Sequence, residues 1–314
     1  MQVHYNIHHL PRFRNAVVTI GTFDGVHPGH RQIFQQMKTE AADVHGETVI
    51  VTFHPHPRRV VKGKSGEVFL LTTIDERIEL LRSIGIDHLV IVPFTTGFSE
   101  MSAEDYIENF LIKNFQPHSI IIGYDHRFGK NRSGDYRLLE QLAPRWNCEV
   151  KEIPEKILNE VTVSSTIIRD SLLSGDIGLA NKMLGYPYFF HARVIHGDKR
   201  GRTIGYPTAN LEITDPEKLI PGDGVYAVTI DVSITGKSIT HKGMMNIGVR
   251  PTVDGTRRMI EVNIFNFHDD IYGEIVKVSV YHFIRREKKF SGLDELKAQL
   301  FADMRESLAY FGVR

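Results

Sequence analysis

The chain has almost no cysteine, one tryptophan, no excess of either charge and no long apolar run. Its single cysteine, Cys148, cannot form an intramolecular disulfide, which suits a reducing compartment. Lys plus Arg and Asp plus Glu each number 38 among 314 residues, so no bulk field of one sign draws in nucleic acid or an anionic membrane. No stretch approaches the roughly 20 apolar residues of a membrane span, and residues 1–6 (MQVHYN) carry no apolar leader core. The expectation is a cytoplasmic, globular chain, long enough for two domains, with no nucleic-acid or membrane partner. No repeat or low-complexity tract interrupts it.

What is present concentrates in one stretch, Gly21-Thr22-Phe23-Asp24-Gly25-Val26-His27-Pro28-Gly29-His30. The apolar, β-branched run Ala16 to Ile20 before it reads as a buried strand. After it, Ile33, Phe34, Met37, Ala41 and Val44 share one helical face. The stretch is therefore a strand-to-helix turn. A helix N-terminus offers unpaired N–H groups and a positive dipole end, which suit an anion. Gly21 and Gly25 allow close backbone approach, and His27 and His30 can face one bound group. This pattern describes a nucleotide triphosphate site that stabilises charge developing on a phosphate. Zinc is the weaker reading, because helical zinc pairs sit four residues apart and need further ligands.

The first half alternates strand patterns (48–53, 88–92, 119–122 and 148–153) with helical patterns (75–84 and 103–113), which argues for a doubly wound parallel sheet. Ser102 and Asp105 form a capping-box-like start for the second helix. Ligands bind such sheets beyond the carboxyl ends of the strands. Three loops fall there: His27 to His30, His54-Pro55-His56-Pro57, and Gly123 to Gly129 with Asp125. Taken singly, each also reads as a surface turn. Farther on, Ser164, Ser165 and Thr166 open a helix, with Arg169 one turn later. These groups either cap the helix or surround phosphate oxygens. Composition changes near Gly185, which sets the expected boundary between domains 1–185 and 186–314.

The second half alternates apolar residues at Tyr226 to Ile234, Ile260 to Ile264 and Val276 to Val280, with a hairpin turn at Thr235-Gly236-Lys237-Ser238. That pattern reads as a compact antiparallel barrel. A closing amphipathic helix is expected, with Ser291 and Asp294 as caps and an apolar face of Leu293, Leu296, Leu300, Met304, Leu308 and Phe311. The loop Gly197-Asp198-Lys199-Arg200-Gly201-Arg202-Thr203-Ile204-Gly205 is rich in glycine and basic groups, as a phosphate-covering flap is. It runs on through Tyr206-Pro207-Thr208-Ala209-Asn210. Thr208 and Asn210 supply neutral oxygens suited to Mg²⁺ held mainly by nucleotide phosphates. Glu261 is either an exposed strand residue or, if Ile260 and Val262 pack against the helix, a carboxylate at the barrel mouth able to take a proton.

Residues 21–30 resemble the H-x-G-H signature of the nucleotidyltransferase superfamily, in the longer form found in prokaryotic FAD synthetases. Residues 164–169 resemble the S-S-T-x-x-R motif that accompanies it. Residues 197–210 resemble the riboflavin kinase signature G-x-x-x-G-R-x-x-G-x-P-T-A-N, and residues 261–273 resemble the kinase stretch that carries the general base. The chain is thus similar, over nearly its whole length, to bifunctional prokaryotic FAD synthetases. The resemblance implies a nucleotidyltransferase-type α/β domain followed by a riboflavin kinase-like barrel. It implies phosphorylation of riboflavin to FMN by ATP, then adenylylation of FMN to FAD by a second ATP, with Mg²⁺. By it, Gly21, Phe23, Asp24, Gly25, His27, His30, Ser164, Ser165, Thr166 and Arg169 handle ATP for adenylyl transfer. Pro55, His56, Pro57 and Asp125 lie near the flavin. Gly197, Lys199, Gly201, Arg202, Gly205, Pro207, Thr208 and Asn210 serve the kinase ATP, Thr208 and Asn210 hold the metal, and Glu261 is the base. His126, Asn266 and His268 depart from the usual pattern. Two alternatives stay open at this point: a non-enzymatic flavin sensor, and a nucleotidyltransferase acting on another phosphate with the barrel as a flavin-binding accessory. A weak homo-oligomer is compatible with either half.

Overall fold

The computed structural model describes residues 1–61, 69–153, 164–197, 200–234, 237–252 and 255–313. By contacts the chain forms two units, Met1–Val163 and Ser164–Arg314. The first is built on a six-stranded sheet: β1 (Gln2–His4), β2 (Val17–Ile20), β3 (Thr48–His54), β4 (His88–Pro93), β5 (Ser119–Gly123) and β6 (Glu149–Ile153). The order across the sheet is β1-β4-β3-β2-β5-β6, and every pairing is parallel. Val17 of β2 lies opposite Thr48 on one side and Ser119 on the other. Side chains of both parities are buried, Val18, Val49 and Ile120 on one face and Val17, Ile50 and Ile121 on the other. Parallel sheets require this two-sided cover.

Helix α1 (Pro28–Asp43) follows β2, and α2 (Ile74–Ile84) precedes β4. A reciprocal capping box of Thr73 and Glu76 starts α2, and Gly85 ends it at φ 83°. The helix expected from Ala103 is present but irregular. Ser102 caps it, and its middle, Tyr106–Ile112, widens into a π-helix. The chain winds from β2 to β3 and β4 on one side, then crosses to β5 on the other. That switch leaves the loops after β3 and β5 flanking the turn after β2, all on one edge.

The second unit begins with α3 (Ser165–Ser174) and α4 (Ile177–Leu184). A closed antiparallel barrel follows: β7 (Tyr188–Ile195), β8 (Ala209–Glu212), β9 (Gly224–Ile234), β10 (Lys237–Thr252), β11 (Gly255–Ile264) and β12 (Ile275–Arg285), in the order β10-β11-β8-β7-β12-β9. The alternating residues Val228, Ile230, Val262, Val276 and Val278 are buried as expected. Thr235 and Gly236 of the expected hairpin turn lie outside the described residues; β9 and β10 pair on either side, with Ile234 opposite Lys237. The helices α3 and α4 pack with the barrel. Asn181 donates to the Val280 carbonyl at 2.9 Å and accepts from the Tyr188 N–H at 2.7 Å, and the Gly222 N–H bonds the Leu172 carbonyl at 3.0 Å. The contact division therefore falls ahead of the composition break at Gly185.

The closing helix α5 (Leu293–Tyr310) is present, with two corrections. Its N-cap is Gly292, because the Ser291 hydroxyl and N–H both turn to Glu295, each at 2.9 Å. Leu293 is 63% exposed rather than part of the packed face. The rest of that face is half-buried, and polar anchors also hold the helix. Asp303 is buried and takes a forked bond from Arg285 at 2.7–3.1 Å, and the buried Ser307 hydroxyl donates to the Gly243 carbonyl at 3.0 Å. Among the described residues no helix is long and apolar enough to cross a membrane.

Candidate functional site

The turn after β2 is tightly wound. Phe23, Gly25 and Val26 all have positive φ, at 46°, 83° and 42°. That conformation is unfavourable for Phe and more so for β-branched Val, so the surroundings must impose it. Gly21 is required as well, since a Cβ there would lie 2.8 Å from the Phe23 ring. Asp24 is the brace. Its buried carboxylate accepts from the Leu71 and Thr72 N–H groups at 3.1 and 2.9 Å and from the Thr72 hydroxyl at 3.2 Å. The Thr72 hydroxyl also accepts from the Gly25 N–H at 3.0 Å. The Asp24 side chain thus holds the turn.

The outcome is that His27 becomes the N-cap of α1, without a side-chain cap bond, and Pro28 the first helical residue. The rings of His27 and His30 stack with centroids 3.7 Å apart. Phe23 closes on His30 edge-first at 5.3 Å. Both Nδ1 atoms are buried without a hydrogen-bond partner in the protein, so each is open to a bound group or water. Burial lowers His27 to about 4, with Asp24 pulling the other way. Burial, then His27, then Arg77 hold His30 well below 6.5. At neutral pH both rings are therefore uncharged, each with one N–H to donate.

The two flanking loops lie where the topology places them. After β3 the His54–Pro55 peptide is cis, and buried His56 caps the short turn Pro57–Val60 by accepting from the Arg58 N–H at 3.2 Å. After β5, Asp125 is exposed, while the Nε2 of His126 is buried without a partner. Burial lowers His126 to about 4. Phe128 stacks on Tyr106 at 4.8 Å, joining this loop to the π-helical segment. Two residues here escaped the sequence reading, Tyr106 and Arg77. Arg77 offered a signal: it sits three and four residues before Leu80 and Leu81, on the buried face of α2.

In the second unit, Ser164 is the N-cap of α3 and accepts from the Ile167 N–H at 3.2 Å, so the capping role expected of it is filled. Ser165 and Thr166 form the first turn, and Arg169 stands one turn on, half-buried. The flap is described except for Asp198 and Lys199, so the expectation for Lys199 lies outside the described residues. A Cβ on Gly201 would strike the Tyr206 carbonyl, and Gly205 has φ 87°. Asn263 donates to the Pro207 carbonyl at 2.7 Å, tying the end of the flap to β11.

A cavity of about 410 Å³ opens beside this tie, lined by Arg202 and Thr208 from the flap, Val262 and Ile264 from β11, and His268 and Tyr272 from the loop after it. Arg202 reaches the Tyr272 hydroxyl at 3.4 Å. Pro207 also lines the cavity, whereas Gly197, Gly201, Gly205, Asn210 and Glu261 do not. The condition on which Glu261 would face the mouth, Val262 packing against the closing helix, is not met, since Val262 lines the cavity. Strand alternation turns Val262 to the cavity and Glu261 to the other face of β11. There Glu261 is directly opposite Asn210 on β8 and Asn246 on β10. A Cβ on Gly197 would collide with the Asn210 amide. Among the described residues no group of three or more His, Cys, Asp or Glu could hold a metal. The side chains of Thr208, Asn210 and Glu261 each offer an oxygen, and the Asn210 amide fills the place that a Cβ on Gly197 would take. Such oxygens fit a hard cation that brings phosphates and water as its other ligands.

Two family models match. One, described as FAD synthetase, covers residues 10–167, and the other, described as Riboflavin kinase, covers residues 184–311. A bifunctional riboflavin kinase/FMN adenylyltransferase of Listeria monocytogenes is 39% identical over 298 residues, 95% of this chain and 93% of the relative. The protein of the same description from Escherichia coli K12 is 34% identical, covering 98% of this chain and 96% of its own. A crystal structure described as a macrolide-efflux protein from Streptococcus pneumoniae superposes with a TM-score of 0.85 at 32% identity, over 98% of both chains. With both halves matched in order and relatives aligned from end to end, the chain belongs to the bifunctional riboflavin kinase/FMN adenylyltransferase family.

Proposed function

We propose that the chain makes FAD in two steps, with phosphorylation of riboflavin in the barrel half and adenylylation of FMN in the sheet half. The observation that carries the second step is the stacked His27–His30 pair at the N-terminus of α1, with both Nδ1 atoms unpartnered. An oxygen of the FMN phosphate attacks the α-phosphorus of ATP, the bond to the β-phosphate oxygen breaks, and pyrophosphate leaves. Negative charge grows on the α-phosphate oxygens as this happens. Two neutral imidazoles with N–H groups to donate, backed by the helix N-terminus, stabilise it without prior reorganisation. Gly21, Phe23 and Gly25 shape the turn around the triphosphate, Ser165, Thr166 and Arg169 take phosphate oxygens, and Ser164 caps the helix that carries them. Pro55, His56, Pro57 and Asp125 flank the flavin.

In the kinase step the ribityl 5′-hydroxyl oxygen attacks the γ-phosphorus, its proton passes to Glu261, and ADP leaves. Positioning and charge neutralisation supply most of such catalysis. The flap from Gly197 to Pro207 covers the phosphates, with Lys199 and Arg202 as its cations. Thr208 and Asn210 would hold Mg²⁺, which supplies charge neutralisation on the phosphate oxygens when bound. Residues 1–185 serve adenylyl transfer and residues 186–314 the kinase, in the cytoplasm. Riboflavin, ATP and Mg²⁺ incubated with the protein test the reading by product chromatography. FMN followed by FAD is expected with ATP and not with CTP. Neither product, or a product only with CTP, would overturn it.

A further inference from the structure

Arg77 is an arginine in the interior of the first unit, 3% exposed, on a helix that carries none of the motifs. Its guanidinium spans three segments. Nη1 donates to the Thr52 hydroxyl of β3 at 3.2 Å, and Nη2 donates to the Thr72 carbonyl at 3.3 Å. The Thr52 hydroxyl in turn donates to the Thr22 carbonyl in the turn, at 3.3 Å. Nη2 also lies 3.9 Å from the Asp24 carboxylate. One buried network thus ties Arg77 to the backbone that presents the two histidines. A buried charge is costly to retain unless it is paired, and here both members of the pair act on the rings. The fixed charges on the stacked rings are Asp24 from the turn, which favours a proton on His27, and Arg77 from α2, which disfavours one on His30. Rings 3.7 Å apart cannot readily both be charged.

We propose that Arg77 is a positioning residue of the adenylyl-transfer site: through Thr52, Thr72 and Asp24 it holds the turn that presents His27 and His30. The inference rests on the reading of the His27–His30 pair given above.

The test uses the full-length protein, with Arg77→Gln to remove the charge and Arg77→Lys to keep it while giving up the fork. Histidine imidazole signals are followed by NMR against pH, and FAD synthesis from FMN and ATP is measured beside FMN synthesis from riboflavin. In Arg77→Gln, His30 should titrate at higher pH than in the parent, and FAD synthesis should fall on the order of 10²-fold, the scale of a displaced catalytic group. FMN synthesis should hold. In Arg77→Lys, His30 should titrate as in the parent while FAD synthesis falls. A folded Arg77→Gln protein that makes FAD at the parental rate overturns the proposal. If Arg77→Gln does not fold, a full FAD rate in Arg77→Lys overturns it instead. FAD synthesis retained in His30→Ala would defeat the reading of the site itself, a separate outcome.

Discussion

Asn210 and Glu261 stand directly opposite each other across the β8–β11 pair, with Gly197 pressed against the asparagine amide. This places a carboxylate opposite the Asn210 amide, on the face of β11 turned away from the cavity that Thr208 lines. Glu261→Gln keeps shape and hydrogen bonding but cannot accept a proton. FMN synthesis from riboflavin should fall by about 10²–10⁴-fold, the usual scale of general-base loss. FAD synthesis from supplied FMN should continue at the parental rate. Loss of both activities, or of neither, would remove Glu261 from the role of base.

The helices α3 and α4 should stabilise the barrel. A fragment of residues 186–314 is expected to fold and make FMN, because the barrel and α5 enclose their own core. A fragment of residues 164–314 restores the two Asn181 bonds and the Leu172–Gly222 bond, each contributing about 1 kcal/mol. It also restores the burial of Ile168, Leu172 and Leu184. It should melt at a higher temperature than the shorter piece. Equal melting temperatures would show that these contacts add nothing.

The first unit should lose stability on mild acidification. Burial lowers His27 and His126 to about 4 each, from an ordinary value of 6.5. Between those values the unfolded chain binds more protons than the folded one, so stability falls as pH drops. The loss is at most roughly 1.4 kcal/mol per pH unit for each ring, and neither ring contributes a slope above about 6.5. His30, held well below 6.5 by burial, adds to the same trend, and His126→Phe removes one of these contributions. Urea midpoints from about pH 7 to about pH 5 should therefore decline less steeply in that variant. An unchanged slope would mean His126 is not buried in its neutral form.

Much of this arrangement was legible in the sequence, because it is periodic or local. Val17 to Ile20 and Thr48 to Phe53 read as buried strands from β-branching alone, and both are. The helical face read from Ile33 to Ala41 belongs to α1, which begins at Pro28. What escaped depends on contacts distant in sequence or on rules stated only as tendencies. A three-residue strand, Gln2–His4, is too short to show a period. The left-handed conformations of Phe23 and Val26 have no sequence signal, because Asp24, Leu71 and Thr72 hold the turn that imposes them. Arg77 lay in plain view on an apolar helical face, but its partners Thr52 and Thr72 meet it only in the fold. The closing helix misled for the opposite reason. Its leucines are periodic, while Asp303 and Ser307 make its anchoring bonds.

His27 and His30 carry the central claim, and one comparison tests it most directly. Parent and His30→Ala proteins are each incubated with riboflavin, ATP and Mg²⁺, and the flavins are separated by chromatography over time. The parent should convert riboflavin to FMN and then to FAD. His30→Ala should accumulate FMN at the parental rate and form no FAD, since only the first unit has lost a group that stabilises charge on the α-phosphate. Normal FAD formation by the folded His30→Ala protein would contradict the account.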